Sequence, residues 1–175
     1  MNASKNKVTM TFFIALCLMI NGSIQAKEVL NAIHDKEAGT IRIYRDGIPD
    51  PIVTQNAKAD FRPYMHPIKS PNGKGELTQY SPGHHKHQTG LYWGFTRVNG
   101  RDYFHNPRGD YWRRKSLQVL KNDKGKICWQ TEYLMLNKDG QPLITETQTW
   151  EIVIREDGKM VIDLNWQGLA HENIT

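Results

Sequence analysis

Five of the seven histidines, His66, His84, His85, His87 and His105, fall between positions 66 and 105. Imidazole gives or takes a proton near neutral pH and also serves as a metal ligand. Residues 91–112 add Tyr92, Trp93, Phe95, Tyr103, Phe104, Tyr111 and Trp112, whose flat apolar faces suit the rings of a sugar. Histidines and aromatics overlapping in one stretch point to acid–base chemistry on a carbohydrate.

The densest part is Ser81-Pro82-Gly83-His84-His85-Lys86-His87-Gln88-Thr89-Gly90. Its Pro, Gly and polar residues predict a loop, feeding a strand at Leu91-Tyr92-Trp93-Gly94-Phe95. In an extended segment His85 and His87 project to the same side, so both rings can meet one substrate or one divalent metal ion. His66 or His105 is the expected third member. A cupin metal site would add a Glu shortly after His87, and Gln88-Thr89-Gly90-Leu91-Tyr92 contains none.

Arg62 and His66 lie in Phe61-Arg62-Pro63-Tyr64-Met65-His66-Pro67, where the prolines hold the preceding residues extended. The planar guanidinium of Arg62 can hold a substrate oxygen or acid group, or form a structural ion pair. Arg108, Arg113, Arg114 and Lys115 surround Tyr111 and Trp112. They suit an anionic polymer or a charged strand edge that discourages pairing between molecules. Gly73 and Gly75 mark a loop without the spacing of a phosphate-binding motif, and no Gly-x-Ser-x-Gly or His-Glu-x-x-His occurs.

These residues must be positioned by β-structure. Turns are expected at Asp46-Gly47, Asn99-Gly100, Lys124-Gly125, Asp139-Gly140 and Asp157-Gly158. Strands are expected on both sides of Asn99-Gly100. Ile144, Trp150, Ile152 and Ile154 alternate on one face, as do Met160, Ile162, Leu164 and Trp166. Glu146 and Gln148 share the face of Trp150, which either lines a site or runs past the core. No segment after Ala26 holds a convincing 3.6-residue apolar stripe, so the expected fold is an all-β antiparallel sandwich.

Lys5 and Lys7, the apolar run over residues 10–20 and the small or polar residues up to Ala26 form the layout of a secretory signal peptide. Removing 26 of 175 residues leaves 149, expected as one domain over 27–175, and lowers the formal charge from +5 to +3. That charge is too small to argue for nucleic acid. No apolar run after Ala26 reaches membrane-spanning length, so an exported protein, periplasmic or extracellular, is expected. Cys128 is the single cysteine after Ala26, which excludes an internal disulfide, and its apolar neighbours predict a buried, unreactive thiol. The chain ends without a charged tail after Trp166-Gln167-Gly168-Leu169-Ala170, so it is expected to be the N-terminal portion of a larger domain.

Arg62-Pro63-Tyr64-Met65-His66-Pro67, His85-Lys86-His87-Gln88-Thr89-Gly90-Leu91-Tyr92-Trp93 and Val98-Asn99-Gly100-Arg101-Asp102-Tyr103-Phe104 stand in this order. With this trio the chain resembles a family of exported bacterial proteins labelled PmoA or methane oxygenase. The resemblance runs from about Ile41 onwards and covers roughly the N-terminal half of such a protein. Gln88 stands where many members have a further histidine, which leaves a four-histidine metal set incomplete. The label implies a metal-dependent oxidoreductase, but the membrane subunit of that name is a bundle of spanning helices that nothing after Ala26 could form. The resemblance implies a supersandwich similar to galactose mutarotase.

The function expected first is a carbohydrate-active enzyme, an epimerase, lyase or hydrolase. His66, His85 and His87 would be its acid–base residues and Glu146 a partner base. Arg62, Tyr92, Trp93 and His105 would hold the substrate. No resident cofactor is expected beyond an optional divalent metal on His85 and His87. The alternatives are a non-catalytic carbohydrate-binding module and the oxidoreductase that the label implies.

Overall fold

The computed structural model describes residues 30–175. The expected signal sequence lies outside the described residues. β1 (Leu30–Asp35), β2 (Thr40–Arg45), β3 (Val53–Asn56) and β4 (Tyr64–Ile68) form one antiparallel sheet in chain order. β5 (Trp112–Asp123), β6 (Lys126–Leu136), β7 (Pro142–Ile154) and β8 (Met160–Ala170) form the second in the same way. The all-β antiparallel sandwich is therefore the fold of the chain. Among the described residues no helix is long and apolar enough to cross a membrane.

The second sheet follows its local sequence closely. Lys124-Gly125 joins β5 to β6 across the paired Asp123 and Lys126, and Asp139-Gly140 and Asp157-Gly158 sit at the next two hairpin tips. Gly140 and Gly158 have φ of 75° and 78°, a region that L side chains avoid. Alternation then directs Ile144, Glu146, Gln148, Trp150 and Ile152 inward from β7. Glu146 and Gln148 are each 1% exposed, so this face does not run past the core. Cys128 points to the outer face of β6 and is half-buried, not in the core as expected, and desolvation raises its thiol pKa.

The inner faces bury two apolar clusters. In one, Trp129 and Trp150 stack at 6.4 Å and 15° and pack with Ile41, Ile43, Val53 and Met65 of the first sheet. Burying each large apolar side chain of this kind contributes roughly 1.5–3 kcal/mol. The other gathers Tyr103, Trp112, Tyr133, Met135, Leu143 and Ile144. Polar side chains are buried as well: Gln55, Thr131, Gln148, Glu146 and Arg62. Gln55 accepts a bond from Trp129 Nε1 at 3.0 Å and donates to the carbonyls of Asn56 and Tyr64, tying the sheets together.

Residues 69–111, between β4 and β5, are irregular apart from single bridges such as Met65–Leu91 and Tyr80–Thr89. The strand expected at 91–95 is reduced to Leu91, and the hairpin around Asn99-Gly100 to the bridge between Val98 and Arg101. The turn itself forms, with Asn99 and Gly100 both at positive φ. Gly90 (φ +101°) and Arg97 (φ +60°) bend the chain away before strands can develop. A side chain at Gly90 would run into the Met65 carbonyl.

Candidate functional site

A segment without strand ladders must find other partners for its backbone carbonyls. Arg62, completely buried just before β4, supplies them. Its Nη1 donates to the carbonyls of Tyr103 (3.4 Å) and Phe104, and its Nη2 donates to the His87 carbonyl (2.9 Å) and Thr89 Oγ1 (3.4 Å). The guanidinium lies 3.4 Å from the centre of the Tyr92 ring. Desolvation lowers its pKa to about 10, against the favourable fields of Tyr92, Glu146 and Asp102, so it stays charged at neutral pH. Arg62, expected to hold substrate or an ion-pair partner, instead fastens the histidine loop to the Tyr103–Phe104 backbone. Tyr103, Trp112 and Tyr133 add anchors, donating to the carbonyls of Leu136, Asn106 and Lys58.

The histidine loop is not extended. His85 N–H donates to Pro82 O and Gln88 N–H to His85 O, giving two successive turns closed by Ser81 N–H to Gln88 O at 2.6 Å. These turns still gather the rings. His84 and His85 lie 4.1 Å apart, His85 and His87 5.9 Å, and His87 and His105 4.3 Å between centroids. Phe104 contacts both His87 (5.6 Å) and His105 (5.0 Å).

Asp102 orients this group. Its Oδ2 lies 2.7 Å from His105 Nδ1, and its Oδ1 accepts the backbone N–H groups of Phe104 and His105, each at 3.0 Å. With Nδ1 engaged, His105 presents Nε2 on an exposed face beside His87. Partial burial alone would raise the Asp102 pKa, but the bonds from His105 and Phe104 override it and the net shift is downward. His87 is shifted down by desolvation and by the positive fields of His105, His85 and Arg62, which Asp102 offsets in part. His87, held toward its unprotonated form, thus faces a carboxylate-oriented His105, an arrangement suited to proton transfer. Asp102 is not among the residues that the sequence pattern singles out. The available signal was its i,i+3 spacing to His105 just past the Asn-Gly turn.

The other expected residues lie elsewhere. The His66 ring packs on Tyr80 at 5.7 Å, and its Nδ1 is 3.0 Å from Thr78 Oγ1, so it joins none of the other histidines. Tyr92 lies under the Arg62 guanidinium and packs at a tilt against Phe104 (5.1 Å). Trp93, 42% exposed, forms an aromatic surface with Phe95 and Trp166, at 6.0 and 6.3 Å. Glu146 lies beneath that surface, where its Oε1 accepts Trp166 Nε1–H at 2.7 Å. Desolvation raises its pKa to about 7, against the bond from Trp166, the neighbouring Gln148 amide and the charge of Arg62. Sealed under Trp166, it is not placed to act as a partner base.

Two depressions flank the His87–Phe104 contact. One of about 390 Å³ is lined by Tyr92, Phe104, Leu91, Thr78 and Gln88. The other, of about 560 Å³, is lined by His84, Lys86, His87, His105 and Arg108 among others. Together they are large enough for more than one sugar unit. Among the described residues no three His, Cys, Asp or Glu side chains are grouped to hold a metal ion. His85 and His87 remain the pair expected from the sequence, with rings in contact.

The fold and site define an all-β sandwich that carries a histidine-rich surface on irregular loops. Residues 44–174 match a family of unknown function, DUF6807, and the chain belongs to that family. No curated protein and no solved structure matches the chain.

Proposed function

We propose that the protein is an exported carbohydrate-active enzyme in which His87 and His105 exchange protons with the substrate. The observation that carries this reading is the Asp102–His105–His87 arrangement. One imidazole is oriented by a carboxylate at 2.7 Å and a second, with lowered pKa, lies against it between two depressions. Asp102 is a positioning residue, and Tyr92, Phe104 and Leu91 form the apolar wall for a ring. The resemblance to exported bacterial proteins supports the same direction.

A binding module without catalysis is the second reading, favoured by the exposed Trp93 on its base of Phe95 and Trp166. A panel of neutral and acidic oligosaccharides, followed by calorimetry and by NMR of products, separates the two. The enzyme reading expects His87→Ala and His105→Ala to abolish turnover while affinity stays. It fails if wild-type protein binds sugars without converting any. The carbohydrate reading as a whole fails if no sugar in the panel binds.

A further inference from the structure

The larger depression differs from the smaller one in charge. Lys86 and Arg108 both line it and are both exposed. Among the described residues neither side chain forms a hydrogen bond or ion pair. Asp110, the one carboxylate on the same wall, lies 4.0 Å from Arg101. Behind the loop, Arg62 adds a fully buried positive charge whose fork is bonded to carbonyls and a hydroxyl, with neither Glu146 nor Asp102 in ion-pair contact. Cations lining a concavity, backed by a buried charge without a direct ion-pair partner, focus a positive potential into it. His84, His87 and His105 supply further N–H donors around the same space.

From this geometry we infer that the 560 Å³ depression binds the anionic substituent, carboxylate or sulfate ester, of an acidic carbohydrate, with Lys86 and Arg108 as its ligands. The inference rests on the carbohydrate reading above and narrows it to a substrate class. A carboxylate or sulfate seated there lies next to His87 and His105, so the charged group orients the sugar towards the proton-transfer pair. A fork such as that of Arg108 pairs in bidentate fashion with either anion, while Lys86 acts as a point charge. The neutral part of the sugar then extends over Phe104 towards Tyr92.

Calorimetric titration of the full chain with trigalacturonate, its fully methyl-esterified counterpart and a sulfated galacto-oligosaccharide tests this. The expected result is that at least one anionic probe binds more tightly than the ester and that its affinity falls as NaCl is raised. The carboxylate and sulfate arms show which anion is preferred. The double substitution Lys86→Ala with Arg108→Ala should remove that preference, a loss of about three- to tenfold, and leave the ester unchanged. Lys138→Ala, on the exposed turn between β6 and β7, should change nothing, which separates the site from general attraction to a basic protein. Both substituted side chains are exposed and lack partners, so the variants should melt like wild type. Equal affinity for acid and ester, with Trp93-dependent binding, would overturn this inference and leave the carbohydrate reading standing. A preference that survives the double substitution would overturn it too. Failure of every sugar to bind would remove both.

Discussion

The Trp129–Trp150 half of the sandwich and the Arg62–Glu146 half solve different problems. In the first, paired strands already satisfy their own backbone groups, so the interior is mostly apolar volume, supplied by Ile41, Ile43, Val53, Met65 and two stacked indoles, with Gln55 and Gln148 taking the indole N–H groups. In the second, residues 69–111 have almost no ladder, and buried polar side chains must do that work. Arg62 donates to the carbonyls of His87, Tyr103 and Phe104, Tyr103 to Leu136, and Tyr133 to Lys58. The Arg62 charge is buried where the backbone is irregular and its carbonyls would otherwise be unpaired, whereas Glu146 is buried on the regular, fully paired β7. The histidine surface rests on the half held by specific bonds, which fixes where a loop-borne imidazole projects.

Substitutions in the two halves should therefore fail differently. Trp129→Ala should be the most damaging, costing about 3–5 kcal/mol through lost burial and a cavity. It should lower the denaturant midpoint of the whole molecule and also strip Gln55 of a partner. Arg62→Met should cost about 3 kcal/mol by leaving buried carbonyls unpaired. In hydrogen exchange its effect should concentrate in residues 80–106 while β6 and β7 stay protected. Uniform loss of protection across both sheets would erase the distinction between the halves.

Glu146 tests the second half by pH. Its folded pKa of about 7 lies above its ordinary value of 4.5, so the native state holds the proton more tightly than the unfolded chain. The associated stability is fully present below pH 4.5 and is lost as pH rises through about 7, with an upper bound of about 3 kcal/mol. His87, whose pKa is lowered, acts in the opposite sense, so the informative quantity is the difference between wild type and Glu146→Gln. Gln keeps an acceptor for Trp166 Nε1, and the variant's melting temperature should fall less than wild type's between pH 5 and pH 8. Parallel curves would show that Glu146 is not the group responsible. The smallest stability effect, under about 1 kcal/mol, is expected for Asp102→Asn, because this pair is largely exposed. On the enzyme reading proposed above, the pH profile of turnover in that variant should change although the melting temperature hardly moves.

The second sheet was readable almost residue by residue. Asp139-Gly140 and Asp157-Gly158 mark hairpin tips, and the alternation through Ile144, Trp150 and Ile152 gives the buried face. The irregular segment was not. Leu91-Tyr92-Trp93-Gly94-Phe95 has the composition of a strand, but its rings are drawn to Arg62, Phe104 and Trp166, and Gly90 and Arg97 turn the chain at either side. Arg62 was singled out for its chemistry, yet its role depends on carbonyls that carry no mark in a sequence. Asp102 passed unnoticed because its importance lies in one 2.7 Å contact.

The sequence by itself determined the all-β class, the hairpin tips and the concentration of imidazoles and aromatic rings, because these depend on local backbone preference and side-chain periodicity. The tertiary structure alone decided which histidines meet. It placed His87 against His105 and His66 against Tyr80, buried Arg62 as an anchor and sealed Glu146 under Trp166. Such choices follow from long-range packing, where the cost of an unpaired buried group outweighs local propensity.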